Sequence, residues 1–175
     1  MAREIRIGQT TNADVYLDGA RLVGRIKEFK LDKVGYERVT HEALGMVGKV
    51  KLPGRSAEPI GAKIKFSWLE TEIMLRTALP NRAMTFQFEK FVDVFDQGGL
   101  VVDAGYRIIT TTTLLFAEEA MDAFKIGDKD GVGREHDCSV IRLAVKSTET
   151  GQFIREYAPM ENINRVDGKD VWPAY

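Results

Sequence analysis

The side chains best suited to catalysis in this sequence are two histidines and one cysteine. His136 and Cys138 are separated by one residue in a segment that is expected to be a strand, so both side chains would lie on one face of it. A thiol nucleophile needs a neighbouring base that is oriented by a third group. A spacing of two is common by chance, and we therefore interpret the pair as an edge histidine and a buried thiol. His41 is expected at the end of a different strand.

The acidic residues give only a partial match to a metal site. The segment DKDGVGREHD resembles a calcium-binding EF-hand loop at Asp128, Asp130 and Gly133, but its twelfth position is Ser139, where that loop needs a glutamate. We expect a solvated loop there and no bound metal. One cysteine and two histidines also make a structural zinc site implausible, and a single cysteine forms no internal disulfide.

Neither a carboxylate pair nor a phosphate-binding loop can be singled out. Glu118 with Glu119, or Asp93 with Asp96, are close in sequence, but nothing in their spacing distinguishes them among 26 acidic residues. Such clusters usually form a solvated face. The GVG sequence at residues 131–133 lacks the Lys-Ser/Thr and the helix that follow a phosphate loop. The sequence therefore favours a protein without enzymatic activity and without a cofactor.

Length and charge limit the classes of protein further. A chain of 175 residues suits one domain, which we expect to extend over residues 1–175. The 26 acidic and 25 basic residues nearly cancel, so no large net field is available to coat nucleic acid through its phosphates. The sequence contains no signal-peptide pattern and no apolar run of about 18 residues. We expect synthesis in the cytosol and no stable association with a membrane.

The elements that must position these residues are mostly strands. Residues 60–68 alternate apolar and polar side chains, and residues 84–89 repeat the pattern, which is typical of strands with one buried face. Residues 106–116 are rich in β-branched side chains, which favour a strand.

The C-terminal part predicts a hairpin at residues 138–158, with a turn at Ser147–Gly151. In its first strand we expect one face to carry Val140, Arg142, Ala144 and Lys146.

One helix stands out at residues 69–79, with Thr71 or Ser67 as its N-cap and Pro80 after its end. Residues 116–125 also have a helical composition. The pattern as a whole predicts a mainly β fold, with two packed antiparallel sheets or a β-barrel and one flanking α-helix.

An apolar loop raises the question of a partner chain. In EALGMVGKVKLPG, residues 42–54, the apolar side chains Leu44, Met46 and Val47 stand between and beside Gly45 and Gly48. Loops usually lie on the surface, where such side chains are exposed unless another chain covers them. These five residues are therefore our candidates for contacts between subunits, at the tip of an extended hairpin loop near residues 40–54.

The four threonines at residues 110–113 support the same idea. They place hydroxyls on both faces of their strand, and strands that are polar on both faces specify their register weakly. Exposed strand edges are templates for another chain. Such a sheet is consistent with completion by neighbouring subunits, although a monomeric sandwich whose threonines face water fits the same pattern.

The order of segments resembles the major tail tube protein of contractile-tailed bacteriophages and of R-type phage-tail bacteriocins. The resemblance covers nearly the whole chain. It is carried by five segments in the family's order: NADVYLDGARLVGRIKEFKLDKV, EALGMVGKVKLPG, AKIKFSWLETEIMLRTAL, EEAMDAFKIGDKD and PMENINRVDGKD.

This resemblance implies a structural subunit. Proteins of this family form hexameric rings in which each subunit contributes strands to one continuous β-barrel around a channel, and the rings stack into a tube that conducts DNA or punctures the target envelope when the sheath contracts. It implies that Leu44–Val47 reach into the adjacent ring or the neighbouring subunit. The implied partners are further copies of the chain, the tail sheath protein, the tape measure protein, the baseplate hub and DNA in non-specific passage.

The implied location is the virion tail, after synthesis in the cytoplasm of a host bacterium. For the lumen-facing strands we select the hairpins at residues 34–52 and 138–158. Two other classes stay open from the residues alone. A monomeric β-sandwich that binds a ligand or peptide predicts that Leu44 and Met46 pack internally. A small β-barrel enzyme predicts a pocket of convergent polar groups around His41 or His136.

Overall fold

Thirteen strands and one short α-helix make up the regular structure of a computed structural model that describes residues 6–22, 25–67, 70–116 and 135–172. Two 3-10 turns occur at Val102–Ala104 and Pro159–Glu161. The elements are β1 Ile7–Leu17, β2 Ala20–Arg21, β3 Ile26–Leu31, β4 Tyr36–His41, β5 Val50–Ala57, β6 Gly61–Phe66, α1 Thr71–Thr77, β7 Ala83–Asp96, β8 Gly99–Leu100, β9 Tyr106–Phe116, β10 Glu135–Ser147, β11 Phe153–Ala158, β12 Ile163–Val166 and β13 Lys169–Asp170.

The strands form two antiparallel sheets, as the sequence predicts. The main sheet has eleven strands, and its longest path runs β13-β12-β11-β10-β9-β7-β1-β2. Strand β6 joins the sheet through β10 and carries β3, whereas β8 pairs with β7. Strands β4 and β5 form a separate two-stranded sheet. The predicted mainly β fold with one flanking helix is confirmed over the described residues.

The core lies between the β3–β6 branch and the β7–β9 part of the main sheet. The alternating residues of β6 and β7 supply it, with Ile64, Phe66, Met84 and Phe86 almost completely buried. The ring of Phe29 on β3 stacks on that of Phe88 on β7, with ring centroids 3.7 Å apart. Period-two alternation therefore places one face of each strand in this core, as predicted.

The predicted C-terminal hairpin is present, but the set of residues predicted to share one face of its first strand is wrong. Strands β10 and β11 flank a turn in which Gly151 has a φ of +70°. The register of β10 against β9 shifts between Val140 and Arg142, so Ile141 is an extra residue at a β-bulge. Val140 and Leu143 are consequently both buried, and Arg142 lies on the opposite face from Val140.

The helix is shorter than predicted and is capped differently. Its N-cap is Glu70, which makes no side-chain capping hydrogen bond, so neither Thr71 nor Ser67 caps it. Thr71 is already the first helical residue, which explains why its side chain does not serve as the cap. The helical composition noted at residues 116–125 lies outside the described residues from position 117 onward, and Phe116 itself ends β9.

Candidate assembly surfaces

The cysteine and its neighbouring histidine are core residues. Burial, followed by the charge of Asp137, raises the pKa of the Cys138 thiol to about 12, so the thiol stays protonated at neutral pH. His136 is buried, with its ring edge-on to those of Phe66 and Phe116. The predicted buried thiol is confirmed, whereas the predicted edge histidine is wrong, because the core of the sheet surrounds its ring.

The other residues considered for catalysis or metal binding do not form a common site in the part of the chain that the structure describes. His41 is exposed at the end of β4. Within the described ranges, no group of three histidine, cysteine, aspartate or glutamate side chains is arranged to hold a metal ion. The calcium-like residues Asp128, Asp130 and Gly133, and the pair Glu118 and Glu119, lie outside those ranges. No helix in the described part of the chain is long and apolar enough to cross a membrane.

The most conspicuous surface is the arm, which we define as β4, β5 and the loop between them, residues 36–57. Its tip, residues 44–48, contains all five predicted contact residues. Leu44 and Val47 are as exposed as in an extended peptide, at 107% and 109%, and Met46 is 40% exposed. The binding-module hypothesis predicts internal packing of Leu44 and Met46, and this exposure argues against it.

The tip has a defined backbone despite its exposure. The amide of Met46 donates to the carbonyl of Ala43 at 3.1 Å, and Gly45 has a φ of +89°, which favours glycine. An ion pair of 2.8 Å joins Lys49 to Glu42 across the loop. The loop therefore presents its apolar side chains from a closed turn.

A polar cluster attaches the root of the arm to the main sheet; we call Tyr36, Arg155, Asn164 and Trp172 the root cluster. Arg155 Nη2 donates to the Tyr36 hydroxyl at 3.0 Å and to Asn164 Oδ1 at 2.6 Å. The ring of Trp172 meets that of Tyr36 edge-on at 5.9 Å. The first residue of β4 is thus held by β11, β12 and the segment after β13.

The main sheet has a second candidate surface on the side away from the core, which we call the polar face. The strand registers align its side chains. They are Asp14, Tyr16, Arg21, Thr85, Gln87, Glu89, Arg107, Thr111, Thr113, Arg142, Lys146, Glu156 and Arg165. Two threonines are hydrogen-bonded to each other between β7 and β9 on this face: the hydroxyl oxygens of Thr85 and Thr113 are 3.1 Å apart. The core face of the same strands contains Thr110 and Thr112, so the predicted split of hydroxyls between both faces is confirmed.

Ion pairs organise the charges of the polar face. Arg107 Nη1 lies 3.3 Å from Glu89 Oε2, and Gln87 Nε2 donates to Glu89 Oε1 at 2.7 Å. Arg21 Nη2 binds Asp14 Oδ1 at 2.6 Å, and this hydrogen bond raises the pKa of the Arg21 guanidinium. Two cations of the polar face are therefore paired with carboxylates of the same face.

The main sheet also has open edges. In the described part of the chain, β2 pairs with β1 only at Tyr16 and Leu17, and no strand pairs with that edge of β1 between Gly8 and Asp14. At the opposite end, β13 covers β12 with two residue pairs. Exposed edges of this kind are available for pairing with another chain.

Sequence reasoning found the arm tip but missed the root cluster and the pairing of charges on the polar face. The only available signal was the alternation of polar side chains opposite the core positions of β7 and β9. Tyr36 is more than a hundred residues away in the chain from the other members of the root cluster, and no local pattern connects it to them.

A comparison with known families gives a match over most of the chain. The family model of phage tail tube protein FII matches residues 9–175, which is nearly the whole chain. A search of curated proteins finds no match. The chain belongs to the phage tail tube protein FII family.

Proposed function

We propose that this protein forms hexameric rings, which stack into the hollow tube of a phage or phage-like tail. The tube conducts DNA or punctures the target envelope when the sheath contracts. The tail sheath protein binds its outer surface, and the tape measure protein and the baseplate hub are its other partners in the virion tail. The family match supports the tail tube class, and the arrangement of the described surfaces supports the assembly.

The observation that carries the proposal is the exposure of the arm tip. Leu44 and Val47 gain nothing from the fold of a single chain, since both are fully exposed. Burial against another copy would contribute about 1.5–3 kcal/mol for each side chain. Repetition around a ring multiplies this gain, because every subunit presents the same tip. We therefore assign the tip to the contact with the adjacent ring or neighbouring subunit.

Ring closure uses the open edges of the main sheet. The free edge of β1 on one subunit pairs with the β12–β13 end of the next, which gives a head-to-tail contact that closes after a full rotation. Closure removes the exposed edges, because a closed barrel has none. The polar face, which lies away from the core, then lines the channel. Strands β10 and β11 belong to this lining, in line with the sequence-based choice of the hairpin at residues 138–158, and β7 and β9 extend it. The other hairpin chosen from the sequence, residues 34–52, is assigned here to contacts between subunits instead.

The test replaces two residues of the tip. Leu44→Asp with Met46→Asp introduces charge where the proposal needs apolar contact, and Leu75→Asp places the same change on the exposed face of α1 as a matched control. We expect the wild type and the control to form hollow rods in negative-stain electron microscopy, and the double variant to give only rings or single subunits with unchanged circular dichroism. Rods of normal length from the double variant would contradict the role of the tip.

Sedimentation at high concentration separates this function from the monomeric alternative. A wild-type chain that remains a single subunit at all concentrations, with a native circular dichroism spectrum, would overturn the proposal. Six-fold annuli in the micrographs would support it.

A further inference from the structure

We propose that the arm docks on a second copy of the chain along one whole face of its two-stranded sheet, with Val39, His41, Val50 and Leu52 buried in the contact. This inference rests on the proposed function and extends the contact between subunits beyond the tip. It states which face of β4 and β5 is covered in the assembly and which face stays in water.

The docking face of the arm is formed by three aliphatic side chains and one histidine. Val39 of β4 pairs with Leu52 of β5, and His41 pairs with Val50. Directly opposed residues of an antiparallel pair lie on the same face, as do residues two apart in one strand. These four side chains, which we call the docking row, therefore lie together. Val39, Leu52 and Val50 are 63%, 50% and 44% exposed in the single chain.

The opposite face of the arm is polar and basic. There, Arg38 pairs with Pro53, and Thr40 pairs with Lys51. All four side chains are exposed, and the ion pairs found among the described residues involve neither Arg38 nor Lys51. The arm thus alternates apolar and polar residues as a strand with one covered face does, although its own subunit leaves both faces exposed.

The arm lacks the support that a two-stranded sheet ordinarily needs. A pair of strands is marginally stable in water unless another strand or surface covers one face. At its base the arm is held by the root cluster through Tyr36, and the amide of Glu58 donates to the carbonyl of Gly35 at 3.0 Å. The docking row adjoins the tip loop directly, because β4 ends at His41 and β5 begins at Val50. A contact that covers the tip is therefore continuous with one that covers the row.

The chain itself carries a surface whose chemistry complements the arm. Residues 36–57 contain four cations and two acids, whereas residues 93–104 contain three acids and no cation. In the latter segment Leu100 and Val102 are 51% and 81% exposed. Another copy of the chain therefore offers apolar side chains beside negative charge to an arm that is apolar on one face and positive in net charge. This complementarity favours a second copy as the occupant.

The experiment compares neighbouring positions of β4 that lie on opposite faces. Val39→Cys introduces a thiol into the docking row, and Thr40→Cys introduces one into the polar face of the arm. The native thiol of Cys138 is buried and does not compete for the label. A maleimide reagent is added to rods formed by the purified full chain, and to single subunits that carry Leu44→Asp and Met46→Asp. The purified chain is the only protein present, so any protection in rods comes from another copy.

In single subunits we expect the two introduced thiols to react at similar rates, since both positions are exposed. In rods the thiol at position 39 should react more slowly by about tenfold or more, because the contact must open before the reagent enters. The thiol at position 40 should keep its rate. An unchanged rate at position 39 in rods would overturn the inference, and so would equal protection of both positions.

A second measurement uses charge in place of a label. Val39→Asp and Leu52→Asp each place a carboxylate in the docking row, and Thr40→Asp places the same charge on the other face as the matched control. Burial of one aliphatic side chain strengthens association by about tenfold or more, so the first two variants should raise the protein concentration needed for rods by that factor. Thr40→Asp should change it by less than about twofold. Equal effects of Val39→Asp and Thr40→Asp, with native circular dichroism, would contradict a contact through one face.

These outcomes separate the inference from the proposed function. Absence of rods from the wild type contradicts the proposed function itself. Rods from the wild type, in which position 39 stays reactive or Val39→Asp assembles normally, contradict the burial of the docking row alone.

Discussion

The buried hydroxyl of Thr112 offers the sharpest test of the sheet. Thr112 is completely buried (0% exposed), and its hydroxyl donates to the carbonyl of Arg142 at 3.2 Å. Arg142 directly follows the bulge at Ile141, where the backbone ladder between β10 and β9 is disrupted. We infer that the side chain of Thr112 supports the backbone at this irregularity and stabilises the bulge.

Three substitutions of Thr112 distinguish the contribution of its hydroxyl to the unfolding free energy from that of its methyl group. Thr112→Val removes the donor and leaves a buried carbonyl with one partner fewer, which costs about 1–3 kcal/mol. The added methyl group returns about 0.8 kcal/mol. The net loss of unfolding free energy should be about 0.2–2 kcal/mol. Thr112→Ser keeps the donor and loses a methyl group, for about 1 kcal/mol. Thr112→Ala loses both, for about 2–3 kcal/mol.

Urea unfolding of the Leu44→Asp, Met46→Asp chain, followed by circular dichroism, measures these differences without competition from assembly. The matched control is Thr111→Val, since Thr111 precedes Thr112 in β9 and lies on the polar face. It should change the unfolding free energy by less than about 0.5 kcal/mol. A Thr112→Val protein as stable as its parent, with Thr112→Ser destabilised, would refute a role for the hydroxyl.

Two further predictions concern the thiol and the arm. Cys138 should resist alkylation by iodoacetamide at pH 8 in the folded chain and react in urea, and rapid alkylation of the folded protein would contradict the burial of the thiol. Because the pKa of the thiol is raised in the folded chain, its contribution to stability is complete below about pH 9 and is lost as the pH rises towards 12. Tyr36→Phe removes the hydroxyl that accepts a hydrogen bond from Arg155. Amide hydrogen exchange should therefore accelerate in residues 36–57, and the free energy of unfolding should fall by about 1 kcal/mol. Unchanged exchange would show that the root cluster does not hold the arm.

The core strands could be predicted because their signal is local. In β6 and β7 the apolar residues recur at every second position, and a pleated strand turns exactly such positions to one side; Ile64 and Phe86 are buried for this reason. The turn before β11 could also be predicted from the sequence, because Gly151 supplies the positive φ that the turn requires. Each of these features depends on a few consecutive residues.

The bulge and the position of His136 depend on distant segments instead. Nothing local marks Ile141 as an extra residue, since the bulge contains no glycine and its neighbours continue to alternate. The register shift becomes visible only when β9 is in place. His136 looked like an edge residue because histidine is commonly exposed, but Phe66 and Phe116 arrive from β6 and β9 to enclose it.

The candidate surfaces divide in the same way. The arm tip was predictable because apolar residues flanked by glycines are unusual in an exposed loop. The partners on the polar face were not, because a sequence with 25 cations and 26 acids allows many pairings. Register decides which of them form: Gln87 and Glu89 on β7 meet Arg107 only because β9 pairs with β7 in this alignment.

The bulge in β10 lies between the part of the strand that pairs with β6 and the part that pairs with β11. Before it, residues 135–139 pair with β6 and contribute to the core; after it, residues 143–146 pair with β11 on the same edge of the strand. One strand thus supports both the core layer and the β11–β13 branch, which carries Arg155 and the root of the arm. A contact made at the open edge of that branch acts on the same backbone that positions the arm. Strand β10 therefore connects the root of the arm to the core layer, and the buried hydroxyl of Thr112 supports the backbone next to the bulge between them.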